Sequence, residues 1–206
     1  MTKGAVTTIL KELDETEYGE HVIIIHPDLQ ALRKIYCQYT KNQLVDNNEI
    51  VLLLPHYETP DAVKNNLQES KSGGSSSSSN NHTTNDIGCI DVQKHEKEGS
   101  LIIKDSIKAH FHSDSDIKSF IKQLVQHAEN IGKRGVSILV DMGSFYHYGK
   151  IDELIEHELS IPPKFHNIKL KRFCIYHEKD FDRLKEEHKH TLSQHHGKEL
   201  VVVKEE

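Results

Sequence analysis

Cysteine is scarce in this sequence. Cys37, Cys89 and Cys174 are odd in number, widely separated and never in a CxxC spacing. That excludes a disulfide framework, gives no sign of a thiolate zinc site, and fits a reducing cytoplasm. Basic charge is also lacking: 32 acidic against 26 basic side chains leave a formal charge of -6. A protein whose main task is coating nucleic acid needs a net basic surface, so direct nucleic-acid binding is not expected. Nowhere do about 18 apolar residues run together, and "MTKGAVTTILKELDETEYGE" holds no signal-like apolar stretch. A soluble, unexported cytoplasmic protein without membrane contact is the expectation.

Glycine is missing where nucleotide chemistry would require it. A P-loop wraps phosphate with backbone amides unshielded by side chains, followed by Lys and Ser or Thr. The corresponding stretch, "IIIHPDLQALRK", has no glycine; Pro27 removes one amide donor and Asp28 would repel phosphate. Neither "SGGSSSSSN" nor "GKRGVS" supplies GxxxxGK[ST], and the GxGxxG and GxSxG patterns are absent too. Yet "SILVDMGSFYHYG" (137–149) is a β-branched run ending in Asp141, where a nucleotide hydrolase would hold its magnesium. Half of a nucleotide site is present without the other half, so ATP hydrolysis is not expected. Ser144 reads as a helix-capping or loop residue.

What is present is an alternation of two periods in 206 residues, 35% of them hydrophobic, enough for one sizeable core and a single domain over 1–206. Short apolar runs read as buried strands at 21–27, 49–57, 100–106, 135–141, 168–177 and 198–206, with 87–92 either a strand or the tail of a loop. Helical spacing fills the gaps. Leu29, Leu32, Ile35, Tyr36 and Tyr39 form one stripe behind Asp28 as N-cap, and Thr59 with Pro60 starts another helix. Ile117, Phe120, Ile121, Leu124, Val125 and Ala128 share a face within 114–135, while 150–160 and 180–196 complete the set. The Ser/Gly/Asn-rich stretch 70–86 cannot bury apolar surface and reads as a flexible insertion. The fold class expected is α/β, a three-layer α/β/α domain on a mostly parallel sheet.

The stretches "EYGEHVIIIH", "NNEIVLLLPHYETPDAVKNNL", "SIKAHFHSDSDIKSFIKQLVQHAENIGKRGVSILVDMGSF" and "KLKRFCIYHEKDFDRLKEEHKH" with "KELVVV" together resemble the methanogen/methylotroph sensory (MEDS) domains. These look like RecA/KaiC-type ATPase cores without the phosphate-binding loop. The resemblance covers about residues 18–203 in order and pattern. It implies ligand sensing or signalling without hydrolysis, hence no enzyme activity and no cofactor.

In an open parallel sheet, ligands bind beyond the carboxyl ends of the strands. The residues at those ends are His26, His56, Tyr57, Ser106, Asp141, Ser144, Tyr176 and His177. Together they would make a mixed imidazole, phenol and carboxylate lining for a small organic ligand. Three alternatives compete: strand ends that are polar simply because loops face water; a metal site of His26, His56, Asp141 and His177; or an interaction module that binds a signalling partner without any ligand. A metal-dependent enzyme using Asp141 with Glu153 or Glu156 ranks below them. The histidines of "HFHSDSD", "HKH" and "HHGKE" read as solvated polar faces, having no defined ligand spacing.

Overall fold

A computed structural model describes residues 1–68, 90–111 and 117–204, the side chains of 117 and 118 excepted. The insertion 70–86 and Cys89 lie outside the described residues. The chain order is β1 (Thr2–Gly4), α1 (Val6–Asp14), β2 (His21–His26), and α2 (Leu29–Lys41), which is prolonged by a π-helical turn over Asn42–Asp46. Next come β3 (Ile50–Leu54), α3 (Pro60–Gln68), α4 (Val92–Lys97), β4 (Leu101–Ile103), α5 (Ser106–Phe111) and α6 (Ile117–Asn130). Then follow β5 (Val136–Asp141), α7 (Gly143–His147), α8 (Ile151–Ser160), β6 (Leu170–His177), α9 (Glu178–Asp182), α10 (Glu186–His195) and β7 (Lys198–Val202).

All strands pair in parallel, in the order β1-β7-β2-β6-β5-β3-β4. From β1 to β4 the chain steps only one way across the sheet, and from β4 to β7 it steps only back. Crossovers of fixed hand therefore lay the outward helices on one face and the returning helices on the other. The packing follows that division. Ile9, Leu32, Ile35, Val63 and Leu67 meet Val22, Ile24, Leu53 and Phe173 on the first face. On the second, Ile121, Leu124, Leu154 and Leu192 meet Ile23, Leu52, Ile138 and Cys174. The result is the three-layer α/β/α arrangement, with β2, β3 and β5 buried along their whole length.

Several helix starts carry side-chain caps. Asp28 accepts from the Ala31 amide at 2.9 Å, Thr59 from Ala62 at 3.2 Å, Asp91 from Lys94 at 3.0 Å and Asp105 from Lys108 at 3.0 Å. Three sequence-based expectations change. The stretch 87–92 is no strand where it is described: Asp91 caps α4 and Val92 enters it. The strand expected over 100–106 stops at Ile103, because Asp105 starts α5 at Ser106. The helix expected over 180–196 breaks into α9 and α10, where Arg183 and Leu184 turn back on Asp180 and Phe181.

Near the strands' N-terminal ends two charges lie inside the protein. Lys171 on β6 meets Glu49 at 2.8 Å, and Glu49 also accepts from Ser137 at 2.6 Å and Tyr18 at 2.8 Å. A buried ion pair is tolerable only with its remaining lone pairs satisfied in this way.

Candidate functional site

The sheet order sets the carboxyl ends of β2, β6, β5, β3 and β4 side by side, and the polar residues of their loops form a continuous edge. The rings of His26 and His177 stand 5.1 Å apart, Tyr57 lies 5.7 Å from His177, and His56 lies 5.1 Å from Tyr57 and 5.6 Å from His147. The Tyr57 hydroxyl donates to Asp180 on α9, tying the loop after β3 to the helix after β6. His177 is itself a helix cap, its Nδ1 accepting from the Lys179 amide at 3.1 Å.

Asp141 sits at the centre of this edge. Its Oδ1 accepts from the Gly143 amide at 2.9 Å, and its Oδ2 from the His56 and Tyr57 amides, both at 3.2 Å. The carboxylate thus joins the β3–α3 loop to the turn entering α7. Gly143 is required for that approach: a Cβ there would lie 2.6 Å from His56 Cδ2 and 2.7 Å from Tyr57 Cζ. Burial pushes the Asp141 carboxyl up to about 7, outweighing the amides of Gly143 and His56 that favour its charge, and Glu58 adds to the rise. Burial holds His26 down to about 4 and lowers His56 and His177. The imidazoles of His26, His56 and His177 are accordingly neutral at pH 7.

Beside Asp141 a narrow cleft runs between α2 and the sheet, walled by Leu32, Tyr36, Pro55, Val63, Leu139 and Ile175. Its internal space is about 30 Å³, room for roughly one or two waters. Three buried polar atoms along the edge have no hydrogen-bond partner among the described residues: His26 Nε2, His56 Nδ1 and Ser106 Oγ. Ser144 and Tyr176 point elsewhere. The Ser144 hydroxyl faces His110 Nδ1 at 3.0 Å, and Tyr176 turns to the second face and donates to Glu158 at 3.2 Å. Five of the expected residues, His26, His56, Tyr57, Asp141 and His177, are therefore grouped. Among the described residues they do not converge as a metal-ligand set.

A second constellation lies in the layer between the sheet and the helices α8 and α10. His21 opens β2, Cys174 is the diagonal neighbour on β6, Glu158 sits in the last turn of α8, and His196 directly follows α10. All four are buried, and one ligand atom from each lies within 4.8 Å of the others. His21 Nε2 is 3.1 Å from Cys174 Sγ and 3.4 Å from Glu158 Oε2, which in turn is 3.2 Å from His196 Nε2 and 3.4 Å from Cys174 Sγ. Burial alone would raise the Glu158 carboxyl, but His196, His21 and Arg172 together hold it well below the usual range. Burial and Glu158 push the Cys174 thiol up against the pull of Arg172.

No reading of spacing could have assembled these four, which are spread over residues 21 to 196. One signal was available: Lys171 and Arg172 lie inside an apolar strand pattern, and a charged pair there means that polar partners are buried with it. Two histidines read as solvated, His110 and His196, are corrected by their packing, while His112 lies outside the described residues. His110 packs among Ser144, Phe145 and His157, and His196 is 5% exposed. No protein-family model and no curated protein matches this chain.

Proposed function

We propose that this chain is a non-catalytic, ligand-binding signalling domain of RecA/KaiC-like descent, as its resemblance to MEDS domains implies. A small organic molecule enters the strand-end crevice, and a partner protein reads the resulting loop arrangement. The observation that carries this reading is the row of unpartnered buried atoms, His26 Nε2, His56 Nδ1 and Ser106 Oγ, on consecutive loops of one edge. Each costs about 1–3 kcal/mol while unsatisfied, so a ligand offering hydrogen bonds there would recover part of that free energy.

The electrostatics select the ligand class. Neutral imidazoles, the Glu58 and Asp180 carboxylates and an Asp141 engaged by amides suit a neutral or weakly charged polar molecule. A polyphosphate would need cations and free amides instead. Because the cleft holds little more than water, the ligand must open the Asp141 clamp, and binding shifts the population between clamped and open loops.

The test is native mass spectrometry of untagged protein from its own host, with ATP binding and turnover assayed on the same sample. A retained organic mass that is lost in His56→Phe is expected. Micromolar ATP affinity with turnover would falsify the reading.

A further inference from the structure

We infer that His21, Glu158, Cys174 and His196 form a structural site for one divalent transition ion, with zinc the best match to the donors. This site lies apart from the strand-end crevice and does not depend on the function proposed there. Zinc takes Cys sulfur at about 2.3 Å and His nitrogen or carboxylate oxygen at about 2.0–2.2 Å, so tetrahedral donors stand roughly 3.3–3.6 Å apart. Four of the six donor separations, 3.1, 3.4, 3.2 and 3.4 Å, lie within a few tenths of an ångström of that range, and the other two do not exceed 4.8 Å.

Proton placement supplies an independent argument. His196 Nδ1 lies 2.8 Å from the Leu192 carbonyl, which can only accept, so Nδ1 carries the proton. In a neutral ring Nε2 is then a lone pair, aimed at Glu158 Oε2 from 3.2 Å and without a hydrogen-bond partner among the described residues. Two acceptors at that distance repel unless a metal ion or a proton lies between them. A metal-bound histidine commonly anchors its other nitrogen on a backbone carbonyl, as His196 does here.

Arg172 is buried beside the cluster, its guanidinium 3.2 Å from His157 Nε2. Four protein donors without solvent access leave no open position, which marks a structural rather than a catalytic centre. The ion would fasten β2, β6, α8 and the end of α10 together on one face.

The experiment refolds reduced, metal-free full chain with one equivalent of Co(II) and records its absorption, alongside X-ray absorption of the zinc-loaded wild type. Tetrahedral d–d bands with a thiolate charge-transfer band, and a zinc shell of one sulfur and three nitrogen or oxygen donors, are expected at one ion per chain. Cys174→Ser should remove the charge-transfer band, and His196→Gln should weaken binding at least about tenfold, since loss of a ligand costs no less than loss of an outer-shell partner. An octahedral spectrum or a shell without sulfur would place the metal on surface histidines and overturn the site. So would a charge-transfer band that survives in Cys174→Ser. If no metal binds, His196 and Glu158 form a plain imidazolium–carboxylate pair and the inference fails.

Discussion

Asp141 is one carboxylate under two opposed influences. Three amides favour its charge, burial opposes it, and burial wins, with the carboxyl near 7 in the folded protein against about 3.9 in an unfolded chain. A raised acid binds its proton in the native state while the unfolded chain has lost it, so stability declines as pH rises from about 4 to 7. Asparagine has no such titration. The stability of wild type relative to Asp141→Asn should therefore fall by roughly 4 kcal/mol between pH 4 and 8, at about 1.36 kcal/mol per pKa unit. Urea unfolding of both proteins across that range measures it, and a constant difference refutes it. The residue itself was legible in the sequence, because an acid closing a β-branched run stands out. Its employment by backbone amides was not, because loop conformation decides where amides point. The His21, Glu158, Cys174 and His196 constellation was illegible for the same reason: only the sheet register and the ends of α8 and α10 bring it together.

At the scale of elements, the turn from β5 into α7 works only because Gly143 lets it press on the loop after β3. Gly143→Ala should destabilise the protein by about 1–3 kcal/mol, the usual cost of overpacking. It should also loosen Tyr57 from Asp180, seen as a lower urea midpoint together with faster hydrogen exchange at the His56 and Tyr57 amides. Loss of stability without faster exchange at those amides would show that the strain is absorbed elsewhere. Long elements with a clear period, such as α2, α6, β2 and β5, could be read from sequence within a few residues. The helices α4, α5 and α7 span two turns or less and β1 only three residues, too short for a period to show. Local caps and a neighbouring strand establish them instead.

For the whole molecule, the interior histidines set the response to acid. Burial holds His26 near 4 and His110 near 3, with His157 adding to the latter. Both stay neutral in the native state while unfolded imidazole protonates near 6.5, so their contribution is present above that pH and is lost as pH falls. Each changes stability by about 1.4 kcal/mol per pH unit, and together they outweigh the opposite slope of Asp141. The urea midpoint should drop between pH 6.5 and 4.5; a flat profile would mean that these rings protonate without unfolding. The sheet order carries a different consequence. β7, the last strand in sequence, lies between β1 and β2, so during synthesis the first strands emerge from the ribosome without their neighbour. β1 has no partner until residues 198–202 arrive, and the edge of β2 stays open for just as long. Folding of that flank must wait until residues 198–202 have been made, a delay in which an exposed apolar strand calls for a chaperone's protection.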